Sequence, residues 1–412
     1  MEPTIKLDRT MVAVDVDGVV HVLVELQAPP APGGVRQPID VVVVLDRSGS
    51  MDGAPLEAVK EATCGLLRLL GPHDRLGVVA FDDAVQMVLP LVAHDQHAAA
   101  HRIRQIGSGG STNLSGGWLK GCEMLTASPR SDALRRIVVL TDGHANCGVT
   151  DPQRLCGLTS AASALGISTS MIGFDDGYDE VLLAAMADAG AGNDYWCAGA
   201  DQAAAVFAAE FEGLASVVAQ NISVEITAQP DCELMVLNEY PITTVPSGLQ
   251  VALGDAYGGE CRRVVAALTL PAEHTLGPKH VADVTIRWAS TIGVVALHTT
   301  VLPVTVDVGA EGDEVVVDAE TVEYVNVLRA ASARKRAHRH LQEGDTGAAR
   351  AEMAATLDLL RIAAAPAAEI AEAERDLTDL DQGDWSAASS KRMYSSMRST
   401  AKGRRSRFDD ET

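Results

Sequence analysis

The sequence predicts an α/β protein in which a doubly wound, mainly parallel sheet is inserted in, or followed by, a β-sandwich, with a helical region towards the C-terminal end. Three observations predict it. The run Val41-Val42-Val43-Val44-Leu45 is apolar at every position, the pattern of a central strand buried on both faces with helices on either side. From there to about residue 215 strand-like runs alternate with helical periodicities, as in a sheet wound by crossover helices. Before and after that region the apolar spacing is two, and past Asp318 it becomes helical.

Taken in order, Met11–Val16, the turn signal Asp17-Gly18 and Val19–Leu26 predict a β-hairpin. The segment 1–34 is too small to stand alone and is expected to pair with the later sandwich; Pro29, Pro30, Pro32, Gly33 and Gly34 form its exit linker. A central domain is expected over 38–216. Within it the pattern gives a helix over Leu56–Leu70, a strand over Leu76–Phe81, an antiparallel edge strand over Ala84–Val92, helices near His97–Ile106 and Leu114–Leu125, and a strand ending at Asp142. A further helix, the strand Ile167–Phe174, the helix Asp179–Ala189, a short strand at Tyr195–Cys197 and the helix Ala203–Ala215 complete it. The β-sandwich, 217–312, is read from strand-like runs at Ile222–Ala228, Cys232–Leu237, Gln250–Leu253, Arg262–Leu270, His280–Trp288 and Val294–Val308. Three helices are expected within 318–383, namely Val322–Leu341, Gly347–Ala364 and Ala367–Leu380, and 384–412 reads as a basic, flexible tail.

The chemistry is concentrated where the first buried strand ends. Asp46-Arg47-Ser48-Gly49-Ser50 follows it directly, and ligands of open α/β sheets collect outside the carboxyl ends of the strands. Gly109-Gly110-Ser111-Thr112-Asn113 adds a glycine-rich turn with a hydroxyl, and the strand Ile137–Leu140 runs into Thr141-Asp142-Gly143. Asp46, Ser48, Ser50, Thr112 and Asp142 together supply two carboxylates and three hydroxyls, all hard oxygen donors of the kind magnesium takes. These five residues, in this order and between strand-like runs, resemble the metal-ion-dependent adhesion site of the von Willebrand factor A family, and the resemblance extends from about Val41 to Ala215. It implies a bound Mg²⁺ (or Mn²⁺), with the hydroxyls on the metal and the carboxylates often acting through water. It also implies a protein partner whose Asp or Glu side chain completes the coordination, and no catalysis. The alternative function from the same resemblance is a non-catalytic subunit of an enzyme assembly of the chelatase type, coupled to a separate ATPase.

Competing readings of these loops are weaker. Asp and Ser also cap helices. An aspartyl phosphotransferase needs a second Asp two residues after the first, where this chain has Ser48, and no phosphate-cradling Gly-x-x-x-x-Gly-Lys-Ser/Thr loop is present. His144, Cys147 and Cys156 fall one ligand short of a structural zinc site.

Of the 412 residues 47% are hydrophobic and 22% charged, enough apolar material for sizeable cores. A formal charge of −23 excludes a nucleic-acid-binding body, which needs concentrated Lys and Arg. No apolar run approaches the ~18 residues of a membrane span, and the N-terminal residues lack a signal-type apolar stretch. Seven scattered cysteines fit reduced thiols. The expectation is a cytoplasmic protein of bacterial type. Basic residues gather between Lys391 and Arg407, whereas the last residues include Asp409, Asp410 and Glu411; these carboxylates are candidates to enter the metal site of the same or a neighbouring copy, giving self-association.

Overall fold

The computed structural model describes residues 1–31, 36–130, 132–175, 177–199, 202–291, 296–310, 312–365, 367–383 and 385–402. They divide into two compact units: Met1–Pro30 with Val218–Thr412, and Ala31–Val217.

The first unit begins with β1 (Glu2–Leu7), β2 (Met11–Ala13) and β3 (Gly18–Gln27). The hairpin expected between 11–16 and 19–26 does not form. β3 pairs instead with β1, Ile5 opposite Val24, while β2 joins the other sheet of the sandwich. The apolar run Val19–Leu26 explains this. Val20, Val22, Val24 and Leu26 are buried in the sandwich core, and Leu23 is buried on the opposite face. A strand buried on both faces needs a partner on each edge, and the residues before the turn cross to the second sheet through Asp15 in a left-handed conformation, φ 61°.

The second unit holds β4 (Ile39–Asp46), α1 (Ala54–Leu69), β5 (Arg75–Phe81), β6 (Val85–Val92), α2 (Gln96–Arg104) and α3 (Leu114–Ala127). β7 (Leu134–Thr141), α4 (Pro152–Ala164), β8 (Ile167–Phe174), α5 (Glu180–Ala189), β9 (Ala191–Cys197) and α6 (Ala203–Ala215) follow. The sheet order is β6-β5-β4-β7-β8-β9, parallel except for the antiparallel edge strand β6. All eight residues of β4 are buried. Val41, Val43 and Leu45 pack into the core on one side of the sheet with α1 and α6, and Val42 and Val44 into the core on the other with α3, which is why the run is apolar throughout. The chain winds from β4 to β5 on one side and to β7 on the other, so the crevice of this doubly wound sheet lies at the carboxyl end of β4.

Returning to the first unit, β10 (Val217–Ala228), β11 (Glu233–Val236), β12 (Ile242–Val245), β13 (Gly248–Tyr257), β14 (Cys261–Leu270), β15 (Gly277–Ser290) and β16 (Ala296–Gly309) complete two sheets, β1-β3-β14-β11 and β12-β13-β10-β15-β16-β2. Four helices follow among the described residues: α7 (Ala319–Gln342), α8 (Thr346–Ile362), α9 (Ala367–Gln382) and α10 (Ala387–Ala401). Asp318 and Asp345 cap α7 and α8, accepting from Thr321 N at 2.8 Å and Ala348 N at 2.9 Å. Val325 and Leu328 of α7 pack on Leu23 and Val265. The segment expected to start a flexible tail at 384 is, over Ala387–Ala401, a packed helix. Its basic residues do not face solvent alone: Arg392 pairs with Asp376 at 2.9 Å, and Met393 and Met397 pack against α7 at Ala337 and Ala331. Residues 403–412, with Asp409, Asp410 and Glu411, lie outside the described residues. Among those described, no helix is long and apolar enough to cross a membrane.

Candidate metal centre

Four loops meet at the carboxyl end of β4. The first, after Asp46, is tied to its neighbours by backbone: Arg47 N donates to Phe81 O at 2.8 Å, Gly49 N to Gly110 O at 3.1 Å, and Gly109 N to Arg47 O at 2.7 Å. Met51, wholly buried, anchors the short 3-10 turn Gly49–Met51. Asp46 Oδ1 accepts from Ser48 N at 2.8 Å and its Oδ2 from Thr141 Oγ1 at 2.5 Å. Ser48 Oγ and Ser50 Oγ stand 3.3 Å apart, and Ser50 Oγ donates to Asp142 Oδ1 at 2.7 Å. Thr112 N donates to Asn146 Oδ1 at 2.9 Å, and Thr112 Oγ1 lies 3.0 Å from where a β-carbon on Gly143 would sit. The structure thus brings Asp46, Ser48, Ser50, Thr112 and Asp142 to one place. His144, Cys147 and Cys156 are not gathered: among the described residues no group of three or more His, Cys, Asp or Glu stands within metal-binding reach.

Asp82 and Asn146, absent from the sequence expectations, also hold this site, as does Thr141, expected only as the end of its strand. The Asp82 carboxylate accepts from Ala84 N at 2.8 Å and Gly110 N at 3.4 Å and receives the Arg47 guanidinium at 3.3 Å, joining three of the loops. A β-carbon on Gly109 would fall 1.8 Å from Asp82 Oδ2, so only glycine fits there without moving that carboxylate. The available signal was Asp82-Asp83 directly after the strand Leu76–Phe81, the same strand-to-loop position that Asp46 and Asp142 occupy.

Two carboxylates this close and this buried repel ionisation. Burial pushes Asp46 up to about 6, against the hydrogen bonds from Ser48 and Thr141, and the neighbouring charge of Asp142 adds to the rise. Asp142 is raised as well, by burial first and then by Asp175. Among the described residues no basic side chain bonds to either; Arg47 turns to Asp82 instead. An oxygen-only donor set of two uncompensated carboxylates and three hydroxyls fits a hard divalent cation.

With a folded pKa above the unfolded ~3.9, Asp46 binds its proton more tightly in the folded protein. Its contribution to metal-free stability, about 3 kcal/mol at most, is therefore fully present below pH ~4 and lost as pH rises to about 6. A cation competes with that proton, so Mg²⁺ affinity is expected to weaken about tenfold per pH unit below about 6. Titrations at pH 5, 6 and 7 check this, and an affinity flat across that range contradicts it.

Comparison with known families matches residues 40–216 to the von Willebrand factor type A domain. Among curated relatives, the uncharacterized protein sll0103 of Synechocystis is 29% identical over 289 residues, covering 66% of this chain and 67% of the relative. The E3 ubiquitin-protein ligase WAV3 of Arabidopsis thaliana is 30% identical over 277 residues, 62% of this chain, and the match spans only 35% of the ligase. Among solved structures, a von Willebrand factor type A protein from Catenulispora acidiphila aligns with TM-score 0.75 at 17% identity over 98% of this chain and 97% of that one. The ArnB paralog VWA2 from Sulfolobus acidocaldarius aligns with TM-score 0.65 at 15% identity over 97% and 98%. The fold as a whole, sandwich and helices included, therefore recurs in other proteins.

Proposed function

From residues 40–216, which match the von Willebrand factor type A domain, we propose that the chain is a metal-dependent protein-interaction module. Ser48, Ser50 and Thr112 hold Mg²⁺, or Mn²⁺, with Asp46 and Asp142 supplying the negative charge, and a partner's Asp or Glu side chain completes the coordination. The observation that carries this reading is the single hydrogen-bonded chain Thr141–Asp46–Ser48–Ser50–Asp142 with Thr112 beside it. It holds oxygen donors together with two carboxylates that lack a cationic partner among the described residues. Three neutral hydroxyls leave the bound cation with residual positive charge, which is what attracts a carboxylate from outside.

In this reading the domain binds rather than catalyses. The protein works in a reducing, cytoplasmic setting, in keeping with seven free cysteines, and its partner is an acidic protein surface rather than nucleic acid or lipid.

Calorimetric titration of the full chain with Mg²⁺ and Mn²⁺ tests it. Binding is expected, with melting temperature rising with metal concentration; at a hundred times Kd the stabilisation is about 2.7 kcal/mol. An Asp-bearing peptide that engages the cation should tighten metal binding, by the reciprocity of linked equilibria, while its Asn counterpart should not. Failure of both metals to bind would overturn the proposal.

A further inference from the structure

The longest open strand edge among the described residues is on β16. β2 covers only its last residues, Asp307–Gly309, so Ala296–Val306 has β15 on one side and no strand on the other. That stretch, Ala-Leu-His-Thr-Thr-Val-Leu-Pro-Val-Thr-Val, contains no charged residue in a chain of which 22% is charged. Soluble proteins blunt exposed edges with charge, bulges, proline or brevity. The other edges show those devices. β1 carries Pro3 and Lys6, β11 and β12 have four residues each, β6 has Pro90 and two register breaks, and β9 has Asp194 and one break. On β16 the register against β15 runs unbroken from Ala296 to Val304, and the first guard is Pro303.

Pro303 also sets which backbone groups are free. Proline has no N–H to give a neighbour and sits in edge strands with that side turned outward. By alternation, Leu297, Thr299 and Val301 direct their N–H and C=O groups away from β15. Their side chains share the outer face, opposite Val304 and Val306, which are buried; Leu297 is 88% exposed and Val301 55%.

We propose that this edge pairs with the same edge of a second copy of the chain, antiparallel about a twofold axis at Thr299. The segment 296–302 is self-complementary in that register: Leu297 faces Val301 of the other copy, Thr299 faces Thr299, and Val301 faces Leu297. Those are apolar and Thr–Thr cross-strand pairs of the favourable kind, and each outward N–H finds a carbonyl. Charge argues for a second copy as the occupant. Two molecules of net charge −23 repel over most of their surfaces, and a charge-free strip is where they approach at least cost. An isologous contact of this kind closes as a dimer. The inference is independent of the metal site.

Sedimentation analysis of the full chain, metal-free, tests it. The contact is small, so the weight-average mass is expected to climb from 43.2 kDa towards twice that value only as concentration rises through roughly 10–100 μM. Thr299→Lys sets like charges directly opposite each other across the axis and should hold the mass at 43.2 kDa at every concentration, with an unchanged melting temperature. Mixing Thr299→Lys with Thr299→Glu in equal amounts should restore the dimer. A wild type that stays monomeric overturns the proposal, as does a dimer that survives Thr299→Lys. If a chain ending at Lys402 dimerises and the full chain does not, the occupant is the chain's own last segment and the proposal falls.

Discussion

Asp142→Ala is expected to weaken Mg²⁺ binding by more than about 100-fold while leaving the metal-free protein folded with little change in melting temperature. The magnitude rests on what the side chain contributes. Even outer-shell partners of metal ligands typically cost 10–100-fold when mutated, and Asp142 carries one of only two negative charges in the donor set. Its removal also takes away the acceptor that fixes Ser50 Oγ at 2.7 Å, so a hydroxyl donor loses its orientation with the charge. The small stability effect follows from the same geometry. Burial and Asp175 raise Asp142, and Asp142 in turn raises Asp46, so without a cation the carboxylate is held against its preference and its loss relieves Asp46. Ser48→Ala removes a hydroxyl and no charge, and its loss of affinity should be smaller. Calorimetry on the two variants and the wild type gives the ranking. Asp142→Ala protein that binds Mg²⁺ within tenfold of wild type would show that the cation, if bound, lies elsewhere.

What could be foreseen from the sequence depended on how far apart the deciding partners lie along the chain. The buried strand Val41–Leu45 and the loop Asp46–Ser50 carry their signal within ten consecutive residues, and Thr112 and Asp142 are marked by their own glycine turn and strand end. The alternation of helix and strand from 54 to 215 likewise expresses local periodicity, and each element there lies within a few residues of its expected place. Asp82 escaped notice because its role is to join Arg47, Ala84 and Gly110, contacts that no spacing rule encodes. β1 was hidden by Pro3 and Lys6 and became a strand through its ladder to β3. α10 was hidden by its charges: Lys391 and Arg398 are buried, and a run of basic residues reads as solvated until Asp376 is placed against it and α7 is placed under its methionines Met393 and Met397.

Glu210→Ala should destabilise the second unit by about 3–5 kcal/mol, the cost of breaking a buried charged network by removing one partner. Glu210 lies on α6, is 2% exposed, and is the common acceptor for donors from two strands, with an arginine of a third nearby. Ser170 Oγ of β8 donates to Oε1 at 2.5 Å, and Asn193 Nδ2 and Tyr195 OH of β9 donate to Oε2 at 2.7 and 2.8 Å. Arg136 of β7, itself buried, brings its guanidinium to 3.9 Å. Alanine removes the shared acceptor of three buried hydrogen bonds, takes one charge out of a buried network and opens a void in its place, and each of these losses costs stability. Glutamine keeps the shape and one acceptor oxygen but turns an NH₂ towards donors, so it should lose less, about 1–3 kcal/mol. The network also fixes where α6 sits on the sheet. Val206, Phe207 and Phe211 supply its apolar grip in the core, but apolar packing tolerates small sliding, whereas a carboxylate bonded to Ser170, Asn193 and Tyr195 permits one position. Hydrogen exchange on the full chain separates the two contributions. In Glu210→Ala the amides of α6 should lose protection while those of β4 and β7 keep theirs, and the lowest thermal transition should fall. If α6 protection and that transition both match the wild type, the carboxylate is a dispensable part of the core and the apolar residues alone hold the helix in register.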